Sequence, residues 1–376
     1  MSRRRSWYFC RIGGFSAVND HVLAEFRRLF ADLSLVDVDV IRDIVRPSPL
    51  LYGLATVEAI LRYGATIART RIPPRDFMPR LPRVLRAIAG WMHQRVDPAA
   101  CAFTFQTQSL FDARRPGVPH FIYTDHTYLA NQRYGGTRAK ALPVPAVWRE
   151  MERTSYLEAD LVFTTSDFAA RSVVEDYGVP PERVLSVQSG INTPFPDEVD
   201  TTARQGRILL FVAVEWERKG GPELFQAFLR LASDFPDLEL HVVGCSPALD
   251  HPRAFVHGRL PLDQVAQFYR RADIFCLLSR MDPSAVVLTE AASYCLPVVG
   301  TRVGGNAERV LDGETGFLLE PGDEEALFNA LTRLLRDPAL RERMGRAGRE
   351  RVRNMFTWKA VCEKMAVAIR RVAALS

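Results

Sequence analysis

Short apolar runs alternate with amphipathic stretches along most of this chain, and that alternation limits what it can fold into. A short apolar run bounded by turn residues suits a buried strand, and an amphipathic stretch between two such runs suits a crossover helix. The result is a parallel sheet covered by helices. In the first half the pattern predicts strands near Trp7–Cys10, Leu35–Ile41, Cys101–Phe105, Phe121–Tyr123, Leu161–Thr164 and Val184–Gln188. Helices are predicted between them, among them His21–Leu33 and Ala146–Glu158. The pattern then lapses. Asn192 to Gly206 is polar, holds Pro194 and Pro196, and has no apolar period, which is a linker signature. Strands resume at Arg207–Val214, Leu238–Gly244, Ile274–Ser279, Pro297–Gly300 and Gly316–Leu319, with helices at Pro222–Phe235, Leu262–Ala272 and Glu324–Arg336. The predicted fold class is α/β, with two doubly wound domains. They cover residues 1–192 and 207–355, joined by a linker at 193–206, with a helix in 356–376 that crosses back to the first domain. A length of 376 residues agrees with about two to three domains.

No apolar run reaches the ~18 residues of a membrane span. The N-terminal apolar run, Trp7 to Cys10, is shorter than the ~7–15 residues of a signal core, so it reads as a first strand behind a basic leader. The six cysteines show no CxxC spacing and mostly sit in strand-like runs, as buried free thiols in a reducing cytosol do. A cytoplasmic protein is expected.

The formal charge of +5 is mild but unevenly spread. Between Arg62 and Arg95 many arginines face one carboxylate, Asp76. Helical spacing puts Leu81, Val84, Leu85, Ile88 and Met92 on one face there. Two readings stand: a core-facing helix with a solvated basic face, or a surface for anionic lipid or an anionic acceptor, which adds peripheral contact with the inner face of a membrane. Nucleic acid is disfavoured, because no helix-turn-helix, RNA-binding or zinc-finger pattern is present.

Four places carry chemistry. Gly13-Gly14 follows the first strand and opens a helix, where backbone N–H groups can approach a phosphate. GxGxxG and GxxxxGK[ST] are both missing, which disfavours a dinucleotide site and a P-loop. His126, beside Asp125, ends the strand Phe121–Tyr123, where ligands of open α/β sheets bind. Arg218-Lys219 precedes Gly220-Gly221 after another strand and can neutralise a diphosphate leaving group. Finally, Asp282 and Glu290 flank a predicted helix start near Ser284. The N–H groups of Ser284, Ala285 and Val286 can hold a phosphate, Asp282 can accept from sugar hydroxyls, and Glu290 can grip a ribose. Gly304-Gly305 forms a further glycine loop behind them. Asp37-Val38-Asp39 matches a DxD metal motif but lies in strictly alternating strand pattern, so it reads as structural and no metal is expected.

In this order the motifs resemble the family 4 (group 1) glycosyltransferases of the GT-B fold. The likeness is carried by Glu158-Ala159-Asp160, Tyr177-Gly178, Gly190-Ile191-Asn192, Arg218-Lys219-Gly220, the Asp282/Glu290 pair, Gly304-Gly305 and Asp312-Gly313-Glu314-Thr315-Gly316. It implies two Rossmann-like domains facing a central cleft, and a retaining, metal-independent transferase. The donor is a nucleotide diphosphate sugar; the acceptor is a hydroxyl on a glycan, a lipid-linked sugar or a natural product. By the same resemblance Glu290 holds the ribose, Asp282 the donor sugar and Lys219 the diphosphate. Gly14 approaches the phosphates and His126 lines the reaction centre. Val214 stands where the family has an arginine, and Arg218 is expected to compensate. Two other classes remain open: a sugar-nucleotide-binding protein with weakened catalysis, and another GT-B enzyme such as a sugar-nucleotide epimerase.

Overall fold

The computed structural model describes residues 5–13, 17–133, 144–202 and 204–375. It divides into two units, Met1–Val187 with Cys362–Ser376, and Gln188–Val361. Each unit holds one six-stranded sheet whose described pairings are all parallel.

In the first unit the strands are β1 (Ser6–Arg11), β2 (Ser34–Asp39), β3 (Cys101–Thr107), β4 (His120–Thr124), β5 (Leu161–Thr164) and β6 (Val184–Ser186), in the order β2-β1-β3-β4-β5-β6. The helices are α1 (Val18–Leu29), α2 (Pro49–Thr70), α3 (Pro82–Arg95), α4 (Tyr128–Arg133), α5 (Ala146–Glu158) and α6 (Asp167–Glu175). Strand β1 is buried on both faces, as a central parallel strand must be. Trp7 and Phe9 pack on Phe26, Phe30, Phe103 and Phe105. Tyr8 and Cys10 join a separate core with Val38, Ile44, Ala55 and Ile88.

Strand β2 stops two residues before its predicted end. A π-helical turn, Val40–Val45, takes over because Asp39 caps it, its Oδ1 accepting from the N–H groups of Ile41 and Arg42 at 3.0 Å each. The helix predicted in the basic stretch forms as α3, with Val84, Ile88 and Met92 buried.

The second unit holds β7 (Ile208–Val212), β8 (Glu239–Val243), β9 (Ala254–Val256), β10 (Ile274–Leu277), β11 (Val298–Thr301) and β12 (Gly316–Leu319), in the order β12-β11-β10-β7-β8-β9. Its helices are α7 (Gly221–Leu231), α8 (Leu262–Arg271), α9 (Val286–Ser293), α10 (Asn306–Arg309), α11 (Glu324–Arg336) and α12 (Pro338–Met355). The polar stretch 193–206 belongs to this unit and is strapped to it. Buried Arg349 donates to the carbonyls of Pro196 and Asp197, and Arg204 to those of Tyr294 and Cys295. Helix α13 (Trp358–Val372) carries residues of the first unit from Cys362 onward, where Arg370 donates to Leu29 O at 2.7 Å.

The strand orders create two switch points. In the first unit the chain leaves β1 for β2 on one side and returns to β3 on the other; in the second it leaves β7 for β8 and returns to β10. The crevice beyond the carboxyl ends of such strands is where open α/β sheets bind ligands.

Candidate active site

Strand β7 leads to Arg218 and Lys219, and β10 leads to Ser279 and Asp282, so the second unit's switch point brings together residues 63 positions apart in the chain. Lys219 Nζ donates to Asp282 Oδ2, and Ser279 Oγ donates to the same oxygen at 3.2 Å. Both partners are nearly covered, with side chains 12% and 6% exposed. A cation and a carboxylate in contact at this place match the two ends of a sugar–phosphate linkage. Arg218 is differently employed. Its Nε and Nη2 hold Glu215, and Nη1 donates to Met281 O at 2.9 Å, so the guanidinium braces the loop that carries Asp282.

The loop from Asp282 differs from expectation in detail. The helix begins at Val286 rather than near Ser284, with Ala285 as an extended N-cap. The N–H of Ala285 is not open to a phosphate, because it donates to Asn306 Oδ1 at 3.1 Å. Ser284 Oγ accepts from Arg309 Nε at 2.6 Å. Gly304-Gly305 is the seat of this loop: Gly305 N donates to Pro283 O at 2.7 Å, and Thr301 Oγ1 donates to Ser279 O at 2.6 Å.

Arg309 is the residue that sequence reasoning missed. It is buried, and its guanidinium donates to Ser284 Oγ, to Thr289 Oγ1 at 3.0 Å and to Ser189 Oγ at 2.6 Å. One fork thus ties the loop before α9, the helix itself and the segment 188–192. Its only sequence clue is a cation just after Gly-Gly and before an apolar pair, Val310-Leu311.

Glu290, on α9, is also buried. Oε1 accepts from Asn192 N at 3.1 Å and Oε2 from Tyr269 Oη at 3.2 Å. This explains the Gly190-Ile191-Asn192 motif: a Cβ at Gly190 would meet Trp358 at 2.5 Å, so only glycine lets Asn192 reach Glu290. Burial raises the Glu290 carboxyl above its ordinary 4.5, against the lowering effect of those hydrogen bonds and Arg309. A raised acid favours the folded state when protonated, so this contribution is complete below about pH 4.5 and is lost as pH rises through the raised value. The melting temperature of Glu290→Gln relative to the parent is therefore expected to climb between pH 4 and 7. A difference that stays flat in calorimetry across that range contradicts the assignment.

A cavity of about 200 Å³ also opens beyond β10, β11 and β12, but Glu223, Glu320, Asp323 and Glu324 line it, a poor match for a diphosphate.

In the first unit, Gly13 follows β1 with φ +57° and its N–H donates to Asp39 Oδ2 at 3.1 Å. Gly14 lies outside the described residues. Asp37 pairs with the Arg11 guanidinium at 2.9 Å and Asp39 caps the π-turn, so both carboxylates of the DxD match are engaged within the first unit. His126 follows β4 and sits 2.7 Å from Asp125. Burial pulls its pKa down, but the Asp125 carboxylate outweighs this and the net shift is upward. Buried Glu152, on α5, anchors the same loop by accepting from Tyr128 N at 3.3 Å, Ser109 Oγ at 2.7 Å and Tyr177 Oη.

Residues 197–351 match the family model described as glycosyl transferases group 1, and residues 17–195 match that of glycosyltransferase family 4. The alpha-maltose-1-phosphate synthase of Mycolicibacterium smegmatis is 30% identical over 302 residues, covering 69% of this chain and 74% of that protein. The chain belongs to the group 1, family 4 glycosyltransferases. The glycosyltransferase is also 26% identical over 368 residues to a D-inositol 3-phosphate glycosyltransferase of Corynebacterium diphtheriae, covering 88% of this chain and 84% of that one. Sucrose-phosphate synthase from Thermosynechococcus elongatus has a similar fold, with a TM-score of 0.72 at 20% identity over 99% of this chain and 100% of that one. The two six-stranded Rossmann-like units of the glycosyltransferase are those of the GT-B fold, and its activity is transfer from a sugar donor.

Proposed function

We propose that the glycosyltransferase moves a sugar from a nucleotide diphosphate sugar to a hydroxyl acceptor, with retention of configuration and without a catalytic metal. The observation that carries this reading is the Lys219–Asp282 pair at the β7/β10 switch point. Lys219 supplies the positive charge that a leaving diphosphate needs, and Asp282 accepts from the sugar hydroxyls. Asp282 is engaged by Lys219 and Ser279, which suits a binding carboxylate better than a covalent nucleophile. Glu290 retains carboxylate lone pairs for a ribose beside Asn192 and Tyr269. In the first unit His126, kept protonated to higher pH by Asp125, donates to a substrate oxygen.

The test is direct. UDP-, GDP- and ADP-sugars are screened by thermal shift, and the binder is incubated with candidate acceptors with and without EDTA. Product of unchanged anomeric configuration by NMR, insensitive to EDTA and lost with Glu290→Ala, is expected. An inverted product rules out the retaining mechanism, and binding without turnover reduces the chain to a binder.

The membrane reading has its own observation. Helix α2 exposes Leu50, Val57 and Leu61 by 74%, 55% and 82%, with Leu54 and Ile60 beside them. Exposed Arg62 and Arg69 lie on the same helix, and exposed Arg46 precedes it in the chain. An apolar stripe flanked by arginines suits the surface of an anionic bilayer. The apolar part lies at 50–61, ahead of the basic stretch 62–95 that marked this region in sequence. Among the described residues no helix is long and apolar enough to cross a membrane. Binding to anionic vesicles at low salt, reduced at least several-fold by Leu61→Glu, is expected in a sedimentation assay; equal binding by the variant removes α2 as the contact.

A further inference from the structure

The first unit has a switch point of its own, between β1 and β3, and a cavity of about 580 Å³ opens beyond it. That is ample for a small polar ligand. Gly13 follows β1, Asp39 ends β2 and Gln108 follows β3, so three strand ends define its floor. Its charge is distinctive. Arg42, Arg46, Arg75 and Arg80 line it against two carboxylates, Asp39 and Asp76.

The carboxylates do little to neutralise the arginines. Asp39 spends its oxygens on the N–H groups of Ile41, Arg42 and Gly13. Asp76 lies 3.7 Å from Arg75, in a pair that faces solvent. Arg42 holds Asp43 in a fork at 2.7 Å. Arg46 and Arg80 have no carboxylate partner among the described residues. Arg80 is only partly exposed, yet its one described hydrogen bond runs from Nη1 to Asp76 O at 2.8 Å. Most of its N–H donors therefore lack a protein acceptor among the described residues, which leaves a guanidinium on the cavity wall with donors free to meet an anion. The Arg80 charge opposes protonation of His126, the proposed substrate-hydroxyl donor, though Asp125 outweighs it.

We propose that this cavity is an acceptor subsite for a phosphomonoester: the acceptor is a polyol or sugar that carries a phosphate, held by Arg80, Arg46 and Arg75. A phosphomonoester brings a charge of about −1.5 to −2 and three strong acceptor oxygens, which matches guanidinium forks. The inference rests on the transferase reading above, because it names the acceptor class for that reaction. The phosphate belongs either to a soluble sugar or polyol phosphate, or to a lipid headgroup.

The experiment separates these cases. Calorimetric titration of the full chain uses glucose 6-phosphate and inositol 1-phosphate, with glucose and inositol as unphosphorylated partners. A second arm uses phosphatidylcholine vesicles with and without phosphatidic acid. The parent chain is expected to bind the phosphorylated member of at least one arm about 10- to 100-fold more tightly than its unphosphorylated partner. Arg80→Met is expected to remove that preference. Arg46→Met, at an exposed position that does not endanger folding, weakens it several-fold. Binding of UDP-sugars by the second unit, followed by thermal shift, stays unchanged in both variants. Preference in the first arm identifies a soluble phosphate, and a preference in the second alone that Leu61→Glu leaves intact and Arg80→Met removes identifies a headgroup. Equal affinity for phosphorylated and unphosphorylated partners in both arms overturns the proposal, as does a preference that survives both substitutions. Because these are binding measurements, a chain that binds the phosphate but transfers no sugar retains the subsite and loses the transferase reading. A chain that transfers sugar without phosphate preference does the reverse.

Discussion

Replacing Lys219 by alanine is expected to lower kcat by about 10²–10³-fold, the effect of removing one preorganised charge that stabilises a leaving group. The structure adds a second consequence. Lys219 is the ion-pair partner of Asp282, whose side chain is only 6% exposed. Without the ammonium, Asp282 keeps Ser279 Oγ at 3.2 Å and little else to offset its desolvation. Breaking such a pair from one side costs about 3–5 kcal/mol. A single substitution therefore confounds folding with chemistry. The double variant Lys219→Ala/Asp282→Asn removes the stranded charge and is expected to recover most of the lost stability in denaturant titration. It is not expected to recover turnover. Restored kcat in the double variant would falsify the role of Lys219 at the diphosphate, since the single variant's loss would then be a folding effect.

The second large effect concerns a glycine that touches no substrate in this reading. Gly304 has φ +51°, a region where an L side chain is strained, and a Cβ built on it falls 1.8 Å from Asp282 O and 3.2 Å from Pro283 Cα. Both neighbours are backbone, so relief comes only by moving the Asp282–Pro283 segment. Gly304→Ala is expected to cost about 2–5 kcal/mol from strain and overpacking together. It is also expected to weaken binding of a nucleotide sugar, because the displaced segment carries Asp282. Gly53→Ala is the control. Gly53 lies within α2 with nothing within 4 Å of its added Cβ, so helix propensity predicts a gain of about 0.5–1 kcal/mol. A Gly304 variant that melts with the parent and binds donor equally well contradicts the account of Gly304-Gly305 as the seat of the acidic loop.

The sheet elements were legible because buried parallel strands are short, apolar and bounded by turn residues. Strand β5, Leu161–Thr164, and helices α5 and α11 appear where the pattern puts them. The exceptions have local causes. Val40–Val45 continues the apolar pattern of β2, but Asp39 offers its carboxylate to two successive N–H groups and the backbone turns into a π-helix instead. Strand β9, Ala254–Val256, is not foreshadowed in the sequence, because its apolar run is only Ala254–Val256, between Arg253 and His257. Residue type, strand ends and spacing single out Lys219, Asp282 and Glu290 as candidates, and the structure pairs the first two. The Ala285 N–H, expected to meet a phosphate, is taken instead by Asn306 from 21 residues away.

What the sequence determined by itself is therefore periodic and local: two runs of βα alternation, the glycines at strand ends, and the carboxylates that flank a helix start. These follow from backbone geometry and burial within a few residues. The tertiary structure alone decided the partnerships. Asp282 neutralises Lys219, Arg309 forks to three hydroxyls, Glu290 takes Asn192, and Arg46 and Arg80 line one cavity with no carboxylate partner among the described residues. Each of these joins groups brought together by crossovers at a switch point or by the packing of distant loops. Which charge meets which is set by strand order and register, and the residues themselves carry no local signal of it.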